Sequence, residues 1–242
     1  MATPLLDAQI LRLRRRIGDM YNEDGTLIDA SNVYTSTSGV TWKQQELLDI
    51  YNDAIKSFMI YLVKAFPKAI WWEFLPGYVV IKTDVSLSAT GLVLSDLSPT
   101  AFQLIDVKLG GLNSDLPKNL ATFISPDQWF DTKVGFVKTR KPDSSHYFYT
   151  VFADGDTAGA PPTMFFLPDG QEFIDIIYLK DHLDLVQNSA TDLGGISQDG
   201  LRRILMFAEA EARRWKSTEA AAVPEAQLQQ MMQMDSNKTK GA

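Results

Sequence analysis

The chain has no cysteine, so disulfides, thiolate metal sites and cysteine nucleophiles are excluded. It has only two histidines, His146 and His182, and neither stands in a motif with a nucleophile or an acid. His146 opens an aromatic stretch and His182 follows Lys180-Asp181. Both read as surface or edge residues, with a general base as the sharper alternative. No apolar stretch reaches the roughly 18 residues of a membrane span. The longest apolar zone, Phe58 to Trp72, is interrupted by Lys64, Pro67 and Lys68. The opening MATPLLDAQILRLRRR does not read as a signal peptide, because its arginines follow the apolar run instead of preceding it. A cytoplasmic origin is expected. The formal charge of −7 argues against a broad basic face for reading nucleic-acid sequence.

Motif chemistry is equally sparse. Asp154-Gly155-Asp156 fails as a calcium loop, since Ala158 and Phe165 stand where ligands are required, and it reads as a turn. Gly194-Gly195 lacks the Lys-Ser/Thr of a phosphate cradle, and there is no Gly-x-Ser-x-Gly elbow. The 30 carboxylates are scattered, so proximity of any two carries no information. No cofactor or metal is expected, and no catalytic role.

What is present is a substantial core composition, 45% hydrophobic and 11% aromatic, in an α+β arrangement. Leu6, Ile10, Leu13, Ile17 and Met20 predict a helix over 4–20. A polar loop over 21–40 follows, long for a compact bundle, and therefore mobile or packed against something outside its own subunit. Leu47, Tyr51, Ala54, Phe58, Tyr61 and Ala65 predict a helix over 41–66, with Thr41 and Gln44 as a capping box and Pro67 as its stop. The period then changes. Strands are expected at Val79–Thr83, around Val85–Ala89, at Phe102–Leu109, Leu120–Ile124, His146–Ala153, Met164–Leu167 and Phe173–Leu179. A short helix begins near Ser125, and Pro168-Asp169-Gly170 predicts a hairpin between the last two strands. Leu201, Ile204, Leu205, Ala208, Ala212 and Trp215 predict a helix over 197–216, capped by Ser197 or Asp199, with Glu209 and Arg213 as an i,i+4 pair. Residues 217–242 read as a tail with a weak helix over 225–234.

The organisation is therefore a helical part over 1–69, a β-rich insertion over 70–180, a linker and closing helix over 181–216 that complete the three-helix part, and the tail. Two features look functional. Arg12, Arg14, Arg15 and Arg16 fall mostly off the apolar stripe. They form either a solvated face or a contact for nucleic-acid phosphates or an acidic partner, and Arg202, Arg203, Arg213, Arg214 and Lys216 bias the last helix the same way. Trp71 and Trp72 belong either to the core or to an intersubunit anchor.

The order of elements resembles the adaptor, or head-to-tail connector, proteins of tailed bacteriophages. The resemblance rests on the early long helix TWKQQELLDIYNDAIKSFMIYLVKAFP, the β-rich insertion, the segment MFFLPDGQEFIDIIYLKDHLDL, the linker Asp192 to Asp199, and the Ala-rich last helix LRRILMFAEAEARRW. It covers most of 1–216. It implies a virion neck protein forming a homo-oligomeric ring, usually of twelve copies, around a DNA channel and in contact with tail or neck proteins. It also implies a C-terminal tail that docks on the portal and orders there. Gln227, Leu228, Met231, Met232 and Met234 are the side chains suited to that docking, because flexible methionines adapt to a groove. The loop 21–40 would then pack on a neighbour. A neck stopper or tail terminator is the near alternative, and a small soluble α+β enzyme or ligand-binding protein the distant one.

Overall fold

A computed structural model describes residues 6–21, 26–28, 42–87, 91–109, 119–133, 147–152, 162–167, 173–186, 193, 195–216, 226, 228–231 and 233. The fold is mixed α+β, and contacts divide it into a helical unit, Met1–Tyr78 with His182–Ala242, and a β unit, Val79–Asp181.

In the helical unit, α1 spans Leu6–Ile17. Leu6, Ile10 and Leu13 are fully buried, as their spacing predicts. The helix stops before Met20 because Gly18 takes a left-handed conformation (φ 76°). Beyond it, Asp19 N–H donates back to the Arg14 carbonyl at 2.9 Å, the six-to-one bond of a glycine-terminated helix. Part of the following loop returns to its own unit: Tyr21 bridges Leu27, and Ile28 is buried. Tyr21 and Leu27 themselves remain exposed. The rest of the loop, and Thr41, lie outside the described residues.

Helix α2 spans Gln44–Ala65. It starts three residues later than expected: Lys43 is the N-cap, and its N–H donates to Glu46 Oε2 at 2.8 Å. Glu46 thus plays the part expected of Gln44. Ile50 and Ile55 are buried as well as Leu47, Tyr51 and Phe58, so α2 is a core helix covered on more than one side. Pro67 ends it and N-caps a further helix, α3, over Lys68–Phe74. This aromatic segment, expected at the start of the β-rich insertion, belongs to the helical unit. Proline at a helix start sets φ without sacrificing a needed donor, and that signal was present in the sequence.

Later in the chain, α5 spans Gln198–Lys216. Ser197 Oγ accepts Gly200 N–H at 3.1 Å, which selects Ser197 over Asp199 as the cap. α5 packs chiefly on α2 and also on α1 and α3. Phe207 of α5 lies 6.1 Å from Phe58 and 5.8 Å from Tyr61 of α2, distances typical of favourable aromatic pairs. The described residues between 226 and 233 are helical.

The β unit comprises β1 (Val79–Ser86), β2 (Leu92–Val93), β3 (Ala101–Leu109), β4 (Asn119–Leu120), β5 (Thr122–Phe123), α4 (Pro126–Lys133), β6 (Phe148–Phe152), β7 (Thr163–Leu167) and β8 (Phe173–Lys180). They form two sheets, ordered β1-β8-β3-β4 and β2-β7-β6-β5. Alternation decides the packing. Tyr147, Tyr149, Met164 and Phe166 meet Val107, Leu109, Ile174, Ile176 and Tyr178 in one core shared by both sheets. The intervening residues Phe148 and Leu167 turn the other way, onto Ile124 and, in α4, Trp129.

The hairpin expected at Pro168-Asp169-Gly170 does not form. β7 pairs antiparallel with β6, and β8 lies between β1 and β3 in the other sheet. The local turn signal was outweighed by β8, whose Ile174, Ile176 and Tyr178 are fully buried and which gains ladder partners on both edges in a central position. The β6–β7 pair is the true hairpin, and Asp154-Gly155-Asp156 falls in its connection, outside the described residues. The strand expected at Leu120–Ile124 is split into β4, paired with β3, and β5, paired parallel with β6. The Val85 alternation is the end of β1, beyond an irregularity in its pairing with β8.

Candidate interaction surfaces

The four arginines of α1 have separate fates. Arg14 is fully buried and forms an ion pair with buried Asp19. A second guanidinium nitrogen donates to the Trp42 carbonyl at 3.2 Å. Burial lowers the Arg14 pKa, and the adjacent Asp19 carboxylate opposes that shift. Arg14 is therefore an internal lock, set apart from the surface cluster in which the sequence placed it. The sequence carried a signal for this: Arg14 stands four residues after Ile10 and next to Leu13, on the edge of the buried stripe. Arg16 is partly exposed and tied to Glu209 of α5 at 3.1 Å, which also holds Arg213 at 3.2 Å. Arg213 in turn donates to the Arg16 carbonyl at 2.7 Å. Glu209 and Arg213, expected as an i,i+4 pair, thus form part of the α1–α5 seam.

Arg12 and Arg15 remain on the surface. With Arg202 of α5 they line an open groove of about 530 Å³ between the two helices, whose wall also includes Gln9, Arg16 and Asp199. Among the described residues, none of Arg12, Arg15 and Arg202 has a hydrogen-bonded or ion-paired partner. Gln9 is buried, and its Oε1 has no hydrogen-bond partner among the described residues. Three uncommitted guanidiniums outnumber the one carboxylate of the groove. Its chemistry suits an extended anionic surface approached from solvent.

The tryptophans also divide. Trp71 is buried and donates its indole N–H to the Phe66 carbonyl at 3.0 Å, so it is a core residue. Trp72 is 39% exposed and remains available for contact. Arg203 stacks over Phe74 at 4.8 Å and is occupied in this way. Of the tail residues, Leu228 and Met231 are half-buried, and Leu228 reaches a groove between α2 and α5. Gln227, Met232 and Met234 lie outside the described residues.

His182 is buried, contrary to its reading as a surface residue. Its Nδ1 lies 2.9 Å from the Tyr78 hydroxyl and its Nε2 lies 3.1 Å from Asn52 Oδ1. Asn52 Oδ1 also accepts Leu185 N–H at 2.9 Å, and Asn52 Nδ2 donates to the Leu185 carbonyl at 3.1 Å. Since Asn52 Oδ1 only accepts, the consistent tautomer has a proton on Nε2, and Nδ1 accepts from Tyr78. Burial pushes the Tyr78 phenol up to about 12, which keeps it a donor. Both ring nitrogens are engaged, so His182 acts as a strut that joins α2 to the strand-exit segment. Asn52 is the residue sequence reasoning missed: a lone asparagine on a buried stripe, flanked by Tyr51 and Ala54, was its signal. His146 lies outside the described residues.

Among the described residues, no helix is long and apolar enough to cross a membrane, and no group of three or more His, Asp or Glu side chains is placed to hold a metal ion. No protein-family model matches the chain, and no curated protein matches it.

Proposed function

We propose that the chain is a non-enzymatic assembly subunit, an adaptor ring protein that joins portal to tail or neck in a tailed-phage virion and surrounds the DNA channel. The observation that carries this reading is the α1–α5 groove, whose uncommitted Arg12, Arg15 and Arg202 offer charge to a partner and whose geometry is open, with no closed reaction chamber. Long-range contact with phosphates needs exposed guanidiniums and no base-reading element. A helical unit built from two stretches of chain on either side of the β unit, the exposed Trp72 and the Ala-rich α5 support the same reading. His182 lends no support to an enzyme, because both its nitrogens are used in the fold.

The test is quantitative mass spectrometry and electron microscopy of purified virions of the encoding phage. The chain should be present in the same copy number as the portal protein, usually twelve, and should form a ring beneath it. Absence from virions, or a location in the tail tip or capsid shell, overturns the reading.

A further inference from the structure

A second groove, between α2 and α5, is lined by apolar and charged side chains together. It has a volume of about 500 Å³ and is lined by Asp53, Lys56 and Ile60 of α2, by Phe207 and Arg214 of α5, and by Leu228 of the C-terminal segment. Ile60 is 44% exposed, on the face of α2 that also exposes Asp53 and Ser57, and Phe207 is half-buried. Packing of α2 on α5 thus leaves an apolar floor without full cover.

We infer that this groove is a docking site for a short amphipathic helix, and that its occupant in the free chain is the chain's own C-terminal segment at 228–231, held as a releasable latch. Three observations support the occupant. The described residues of the segment are helical. Leu228 and Met231 are spaced i, i+3 in the sequence, on one face of a helix and at a spacing that anchors helices in apolar grooves. And Leu228 itself lines the cavity.

The release follows from charge. From Ala226 to Met234 the segment has no ionisable side chain, whereas the rim charges are engaged within the body: Lys56 with Asp184 at 2.7 Å and Arg214 with Glu211 at 2.9 Å. The side chains of 226–234 can form no ion pair with the rim. The segment is held by apolar side chains that are only partly buried, a contact that barely offsets the cost of ordering the segment. A better-fitting apolar partner displaces it. The latch rests on the groove and the segment alone. Combined with the adaptor reading, it means that Leu228 and Met231 are covered until a portal groove competes for them.

The absence of cysteine allows a direct test in the full-length chain. Ser57→Cys, at a solvent-exposed position of α2 that also lines the groove, is combined with Gln229→Cys and treated with a short bis-maleimide. The expected product is an intrachain cross-link migrating as a compact monomer. Adding Leu228→Asp, or Ile60→Asp from the groove side, lowers its yield by about fivefold or more, while circular dichroism is unchanged. Interchain dimers as the main product assign the groove to a second copy and overturn the cis latch, as does a yield that neither aspartate alters. Neither result bears on whether the chain occurs in virions, so the two readings fail separately.

Discussion

The two units bury their chains by different means. Every buried polar or charged side chain among the described residues, Thr150 excepted, belongs to the helical unit. Asp19 and Arg14 close the end of α1, Asn52 and His182 fasten the chain where it returns, and Gly77 donates its N–H to Gly195 at 2.9 Å. The β unit is one continuous stretch whose cores are made from alternating apolar residues. The difference follows from connectivity. A unit assembled from two distant stretches of chain must specify where they meet, and directional polar contacts and close backbone approaches do that better than apolar burial. A contiguous sandwich obtains its register from alternation.

Removing half of the buried ion pair should break this comparison most severely. Asp19→Ala leaves a buried guanidinium without its counter-charge and is expected to destabilise the helical unit by about 3–5 kcal/mol. Trp129 is the only tryptophan between Val79 and Asp181, so in a Trp129→Phe background all tryptophan fluorescence reports the helical unit. Chemical denaturation followed that way should show the loss. Joint replacement by Arg14→Met and Asp19→Leu should cost much less, because no unpaired charge remains. Equal losses for the single and double variants would show that the pair's packing, not its charge balance, matters.

Next in size is Gly77→Ala. A Cβ there would lie 2.3 Å from the Gly195 Cα, a backbone contact that cannot be relieved by rotating a side chain. A loss of about 3 kcal/mol is expected. The β unit offers the contrasting probe: Ile176→Val, at a fully buried position of β8, removes one methylene and should cost about 1 kcal/mol. If both substitutions cost the same, the helical unit has no special need of its close approach.

These sites also show what was legible in the sequence. Helix periodicity placed α1, α2 and α5 to within a few residues, and alternation placed β3, β6, β7 and β8. Both are local patterns repeated often enough to survive noise. The partner of β8 was not legible. Pro168-Asp169-Gly170 is an adequate turn by itself, and only competition among strands for a central position shows that the chain crosses between sheets there. The arginines of α1 were legible as a cluster but not as individuals. Asp19, which captures Arg14, lies just beyond a glycine whose left-handed turn brings it back, and no spacing rule anticipates that. Asn52 and His182 are 130 residues apart, beyond the reach of any window.

Smaller and pH-dependent is the effect of Tyr78→Phe, which leaves His182 Nδ1 without its donor. About 1 kcal/mol should be lost at neutral pH. The folded chain also holds the Tyr78 proton up to about 12 against an ordinary value of 10.0, and burial raises Tyr51 as well. A raised phenol contributes stability that is fully present below pH 10 and is lost as pH rises through about 12, because the unfolded chain releases its protons first. Alkaline unfolding should therefore be shallower in Tyr78→Phe than in the parent. An unchanged profile between pH 10 and 12 would assign the alkaline loss elsewhere.

The least effect on stability is expected where the proposed function is concentrated. Arg12→Gln, Arg15→Gln and Arg202→Gln together remove three exposed charges without a bonded partner among the described residues, so the folded state should change by no more than about 0.5 kcal/mol. Binding to DNA should respond instead. Each phosphate contact that is lost removes roughly 0.9 from the slope of log affinity against log salt concentration. The triple variant should thus lose up to about 2.7 of that slope, measured by titration of duplex DNA at several salt concentrations. Arg16→Gln is the internal control: its guanidinium is already tied to Glu209, and it should weaken the α1–α5 seam more than it lowers the slope. If the triple variant keeps the parent's slope, the groove is not the anion-facing surface, and the charge it carries must serve a protein neighbour. The helical unit would then be specified by its polar contacts inside and recognised by them outside, with no part in facing the DNA.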